Sequence, residues 1–324
     1  MKYPYLNSWL LYKKEDEYTW CVKDYLNDNI YFFDIEEVHF MRQLNGKRNP
    51  YKINPAWSKS EVRQFLNFLE EKELTRNSRV IRSSFLTFNI SLIRIRRNMK
   101  VRLISFILNA ILMVTFLPVF AGGVYCCLNK IYTYEISYLP FYFGTILGLI
   151  AGLILHETGH AISGLAYGAK VFEAGLMIGI PIGAYVMLDE RNVKSRLRRC
   201  QILASGVEMN FLLCGTGFIF SSLIPFMSDF FYGFAVNNLI LGVINLLLIN
   251  GLDGCSIMEE LLGTRSLSLS AVDFVLNHKS RKNLLLQGTT GYIKIASGFV
   301  GAVCQLAYPL LLIVNIAGVV SCMV

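Results

Sequence analysis

The chain has 324 residues, 54% of them hydrophobic, 13% aromatic and only 17% charged, with a mean hydropathy of +0.44 and a formal net charge of +8. Soluble domains carry about 45–50% apolar and about 25% charged residues, so an ordinary soluble enzyme is excluded. A disordered chain is excluded as well, because disorder needs low hydrophobicity. The surplus apolar residues are expected to gather into membrane spans.

The chain opens on Met1-Lys2-Tyr3-Pro4 with no apolar run, which predicts no cleavable signal peptide and a cytosolic N-terminus. Residues 1 to about 85 read as a small soluble domain. Tyr18–Val22 and Ile30–Phe33 have strand character, with the polar turn Asn27-Asp28-Asn29 between them. Asp34 stands three residues before Glu37, and Ser58 three before Glu61. Both pairs have capping-box spacing and predict helix starts. The first helix is expected over about 35–45, stopping at Asn45-Gly46. The second, about 59–72, places Val62, Phe65, Leu66 and Leu69 on one face. A strand pair with short helices suggests a winged-helix-like α+β domain, or else a plain α+β cap.

From about residue 100 the character changes. Five segments are long enough for a bilayer, at about 20 apolar residues each: roughly 101–128, 139–166, 200–226, 230–251 and 291–321. Arginines and lysines collect before the first, between the second and third, and between the fourth and fifth. The other two loops hold only Lys130. That alternation predicts a cytosolic N-terminus and an outward C-terminus in a multi-pass cell-membrane protein. The basic balance is thereby topological, and no nucleic-acid partner is expected. The eight cysteines lack CxxC or zinc-finger spacing and read as reduced small hydrophobes.

Phe172–Leu188 is apolar but short, with Gly175, Gly179, Pro181 and Gly183 inside it. Glycine and proline at that density disfavour a spanning helix. A re-entrant or interfacial hairpin, screened from lipid by protein, fits better.

The chemistry sits in His156-Glu157-Thr158-Gly159-His160. On a helix the two histidines lie one turn apart on one face, so both imidazoles can reach one zinc ion. Glu157 stands beside them, placed to act on water. Zinc needs a third protein ligand and one open position. Asp253, in Asn250-Gly251-Leu252-Asp253-Gly254, is the favoured carboxylate; Asp189, Glu208 and Asp273 compete. Asp253 also has an alternative reading as the cap of a helix over Ser256–Leu262. Asn210, Asn238, Asn245 and Asn250 lie in or at the ends of spans, where they either bond between helices or touch substrate. Glu208 inside a span either pairs with Arg198 or Arg199 or takes a gating or substrate role.

HETGH in one span, Ala204-Ser205-Gly206-Val207-Glu208-Met209-Asn210 in the next and Asn245–Gly254 in a later one resemble the site-2 protease family of intramembrane zinc metalloproteases. The resemblance covers roughly 140–260. It implies that His156, His160 and Asp253 bind zinc and that Glu157 is the catalytic base. It implies a peptide or membrane-protein substrate; Asn210, Glu208, Asn245, Gly179 and Gly183 are its candidate contacts. Three departures stand out: Val207 replaces a usual proline, the proline before LDG is missing, and Cys255 replaces a frequent glycine.

The expected fold is a mainly α membrane protein of about five transmembrane helices with a re-entrant hairpin, plus the small α+β domain. Residues 1–85 form a cytosolic winged-helix-like peptide-binding domain, and 86–324 the transmembrane metalloprotease domain. The first part is similar to the peptide-binding winged-helix domains found with ribosomal-peptide maturation enzymes. Three functions follow: cleavage of a small precursor peptide near the cytosolic face, cleavage of a membrane-anchored regulator such as an anti-sigma factor, or non-proteolytic peptide binding or immunity. The oligomeric state is not legible.

Overall fold

The computed structural model describes residues 3–7, 9–25, 29–76, 80–82, 87–94, 99–130, 136–179, 183–264, 267, 274–275 and 283–304. The chain divides into two compact units, Met1–Arg96 with Phe172–Met187, and Arg97–Val171 with Leu188–Val324.

In the first unit, β2 (Leu10–Lys14), β3 (Thr19–Asp24) and β4 (Ile30–Asp34) form an antiparallel meander in the order β2-β3-β4. The expected strands are β3 and β4, and β2 was not anticipated. Of the polar turn expected between β3 and β4, Asn27 and Asp28 lie outside the described residues. β1 (Tyr5–Leu6) pairs with β5 (Thr75–Arg76). Helix α1 (Ile35–Gln43) follows β4 directly, and α2 (Lys59–Glu71) follows a 3-10 turn at Pro50–Lys52.

Both helices begin at complete capping boxes: Asp34 and Ser58 accept from the amides of Glu37 and Glu61, whose carboxylates accept in return from the cap amides. Val62 and Leu69 are buried on the predicted face of α2, with Phe65 and Leu66 partly buried beside them. They close a core with Trp9, Val22, Phe33, Phe40 and Met41, in which Phe40 stacks on Trp57 at 5.0 Å.

A four-stranded sheet completes the unit, in the order β6 (Val80–Arg82), β7 (Thr87–Arg94), β8 (Lys170–Gly179), β9 (Gly183–Asp189). The hairpin expected at 172–188 is therefore β8 and β9, with its tip, 180–182, outside the described residues. Its strands are paired within a sheet: β8 runs antiparallel to β7 from Thr87↔Gly179 to Arg94↔Glu173, with a bulge between Ser91 and Ile93. Pairing with β7 satisfies one edge of β8 within the protein. Under the hairpin, Glu173 is fully buried and bonds to Arg76 Nη2 (2.8 Å), Ser91 Oγ (3.1 Å) and Tyr185 Oη (3.0 Å). Arg76 also lies over the rings of Tyr5 and Trp9.

The second unit is helical: α3 (Met99–Lys130), α4 (Tyr138–Tyr167), α5 (Arg196–Leu223), α6 (Ser228–Asn245) and α7 (Asp253–Leu262). Four stretches among the described residues are long and apolar enough to cross a membrane: Met99–Asn129, Tyr138–Tyr167, Arg196–Leu223 and Pro225–Asn245. They match the first four expected spans. The expected fifth is described only as helix over 289–304, and its remainder lies outside the described residues.

Helix α5 packs against α3, α4 and α6, and α4 also packs on α6. The α4–α6 approach is made by glycines. A Cβ on Gly144 would stand 1.9 Å from the Phe230 carbonyl, and one on Gly148 2.9 Å from that of Phe234. Small residues at four-residue spacing let spanning helices touch backbone to backbone. Gly144, Gly148 and Gly152 continue, four by four, into His156 and His160.

Candidate metal centre

His156 and His160 are four residues apart on α4, and both are buried. Their Nε2 atoms lie 3.1 Å from each other, with the rings nearly perpendicular at 83°. Asp253 enters from a different part of the chain, its Oδ2 lying 3.0 Å from His156 Nε2 and 3.3 Å from His160 Nε2.

The backbone after α6 explains how the aspartate gets there. Helix α6 stops at Asn245, and the chain turns through Gly251 at φ +92°, a left-handed conformation that favours glycine. Gly254 then presses on Leu246, where a Cβ would meet the carbonyl oxygen at 2.2 Å. Asp253 is the first residue of α7 and not the end of α6. The N-cap is Leu252 and makes no side-chain cap bond, so the Asp253 carboxylate is turned to the histidines instead of capping the helix.

Hydrogen bonds on the far side of each imidazole fix its tautomer. Asn210 donates through Nδ2 to the Gly152 carbonyl and to Asn238 Oδ1, each at 3.3 Å, which leaves its Oδ1 to accept from His156 Nδ1 at 2.6 Å. The carbonyl of Ile202 accepts from His160 Nδ1 at 2.7 Å. With protons on both Nδ1 atoms, both Nε2 lone pairs face Asp253.

These residues fit a zinc ion. Two neutral imidazoles and a carboxylate are a familiar ligand set, and donors at about 2.0–2.2 Å from a tetrahedral metal sit about 3.3–3.6 Å from one another. Of the three observed separations, 3.3 Å stands at the lower end of that range and 3.0 and 3.1 Å just below it. Asp253 Oδ2 is buried without a hydrogen-bond partner, facing only the two histidine nitrogens, as a metal-binding oxygen would. Gly206 of α5 packs closely against the donors: a Cβ there would lie 2.5 Å from His160 Nε2 and 2.7 Å from His156 Nε2. Glu157 is half-buried beside His156.

The remaining candidates are placed elsewhere. Asp189 is bound by Arg191 at 2.9 Å. Glu208 accepts twice from Gln201 Nε2 at 2.9 Å, and Arg199 is engaged by Glu260, so neither Arg198 nor Arg199 partners Glu208. Asn245 donates to its own helix at Leu241. Gly179 ends β8 and Gly183 begins β9 in the first unit. Asp273 lies outside the described residues. Asn210 is brought to the metal centre, but as the partner of His156. Sequence reasoning missed the Ile202 carbonyl and Gly206. The first carries no side-chain signal, and the second was quoted only as part of a motif.

Residues 144–226 match the family model described as Peptidase family M50. The matched stretch contains His156, Glu157, His160, Gly206 and Asn210, whereas Asp253 lies beyond it and joins the centre through the fold. No curated protein and no solved structure matches the chain.

Proposed function

From the match of residues 144–226 to the model of Peptidase family M50, we propose that the chain is an intramembrane zinc endopeptidase of the site-2 protease kind that cuts a small precursor or modified peptide near the cytosolic face of the membrane. The observation that carries this reading is the convergence of His156 Nε2, His160 Nε2 and Asp253 Oδ2, with Glu157 adjacent. When bound there, zinc supplies Lewis acidity and lowers the pKa of water towards about 7. Glu157 takes the proton of the attacking water and returns it to the leaving amine. Asn210 and the Ile202 carbonyl keep the imidazoles in the metal-binding tautomer throughout. Gly206 lets α5 pass close to the donors with no side chain in their way.

The first unit is the peptide-holding part in this reading. β4 ends its three-stranded sheet and turns Ile30 and Phe32 outward, 53% and 66% exposed. An extended peptide adds to such an edge by main-chain hydrogen bonds, with specificity from neighbouring pockets. A pocket of about 370 Å³, lined by Trp57, Phe65, Phe68 and Gln64, lies on α2.

The test is to purify a Glu157→Ala form, which binds without cutting, and to identify what co-purifies by mass spectrometry. A short precursor peptide that is lost when residues 1–85 are deleted supports the proposal. A single-span signalling protein moves the substrate class to membrane-anchored regulators. Failure of the wild-type enzyme to cut any captured molecule, with zinc bound, overturns the protease reading.

A further inference from the structure

At one end of the second unit a pocket of about 400 Å³ opens between α3, the end of α4 and the start of α5. Its polar lining is Arg102, Arg198 and the Tyr167 ring, and its apolar lining includes Leu103 and Phe106. We propose that this pocket binds the phosphodiester headgroup of an anionic phospholipid, with acyl chains running along Leu103 and Phe106.

Charge is the first argument. The other arginines in the stretch 191–199 face acids: Arg191 pairs with Asp189, and Arg199, with Arg196 at a longer 3.8 Å, shares Glu260. Arg198 points away from these acids, its guanidinium lying 5.8 Å from the Tyr167 ring centroid. Among the described residues neither Arg198 nor Arg102 has an acidic partner, and none of those lining the pocket is a carboxylate. Two unneutralised guanidiniums facing one cavity match a phosphate, which guanidinium recognises through paired N–H donors.

Position is the second argument, and it selects a lipid over a soluble anion. Arg102 lies within the first turn of α3, a span whose outward face continues as Leu103 and Phe106, 62% and 55% exposed. A free phosphate would use the arginines and leave that apolar wall in water. A phospholipid uses both, because its headgroup sits at the end of a span and its chains beside it. Tyr167 forms the floor and is held by Asn109 Nδ2, which donates to its hydroxyl at 3.3 Å.

The pocket also adjoins the metal centre along the chain. Tyr167 lies two turns after His160 on α4, and Arg198 lies one turn before Ile202, whose carbonyl fixes His160. A bound headgroup therefore ties together the ends of two helices that carry the centre.

The full-length protein is reconstituted in nanodiscs of mixed phosphatidylglycerol and phosphatidylcholine, then released, and the retained lipids are counted by native mass spectrometry. Wild type is expected to retain phosphatidylglycerol at least several-fold over phosphatidylcholine. Arg102→Gln with Arg198→Gln is expected to lose that preference, and Arg102→Lys with Arg198→Lys to keep much of it. Both pairs change exposed side chains, and circular dichroism checks that they fold. Equal retention of the two lipids by wild type, or an undiminished preference in the glutamine pair, overturns the proposal. The second outcome is what arginines that only balance the C-terminal dipole of α4 would give. Displacement of the bound lipid by inorganic phosphate at equal concentration would assign the pocket to a soluble anion and also overturn it.

Discussion

The Oδ1 of Asn210 on α5 accepts a hydrogen bond from Nδ1 of His156 on α4 at 2.6 Å. This one contact joins the polar interior of the helices to the candidate metal centre, because Asn210 is itself held by Asn238, and Asn238 by the Gly148 carbonyl at 3.3 Å. Partners of this kind typically matter 10–100-fold for metal affinity. Asn210→Ala is expected to weaken zinc binding about 10–100-fold in competition with a chelator, with the helical circular dichroism unchanged. Unaltered affinity would show that Asn210 serves packing alone.

Gly206→Ala places a methyl group against the donors. Since that Cβ would stand 2.5 Å from His160 Nε2, zinc content is expected to fall towards zero. Alanine is the better helix former by about 1 kcal/mol, so this loss should come without loss of helix. A Gly206→Ala protein with full zinc content would mean that the imidazoles coordinate from another side.

Glu157→Gln keeps the size of the side chain and removes its basicity. Peptide cleavage is expected to fall about 10²–10⁴-fold while zinc content stays at the wild-type level. A parallel loss of zinc would place Glu157 among the ligands.

The buried ion pair of Arg76 and Glu173 offers a test of the first unit. Removing one member of a buried pair typically costs about 3–5 kcal/mol, because the other charge is left behind. Glu173→Ala is expected to lower stability by about that amount. Replacing both, Arg76→Met with Glu173→Leu, should recover part of it. All three tryptophans, Trp9, Trp20 and Trp57, lie in this unit, so denaturant unfolding followed by their fluorescence reads it alone. An unchanged midpoint in Glu173→Ala would show the pair to be incidental.

Local signals made much of this legible. The capping pairs Asp34/Glu37 and Ser58/Glu61 placed both helix starts to the residue, since a cap depends on side chains three positions apart. Four spans followed from hydropathy, and His156 with His160 from helical spacing. Long-range pairing was hidden. Phe88, Ile90 and Leu92 alternate with polar Thr87, Asn89 and Ser91, a readable strand pattern. Its partner, however, lies about eighty residues away in 170–179, and nothing local announces that register. The four-residue run Gly144, Gly148, Gly152 was equally visible, and it marks the α4 face that ends in the histidines. Asp253 is legible from its motif but its route is not: the helix before it ends eight residues earlier, and Gly251 makes the turn.

X-ray absorption at the zinc edge of the purified wild-type protein tests the central assignment most directly. The geometry predicts one zinc with two imidazole nitrogens and oxygen donors at about 2.0–2.2 Å. A sulfur shell at about 2.3 Å, or a protein that takes up no zinc, would contradict it.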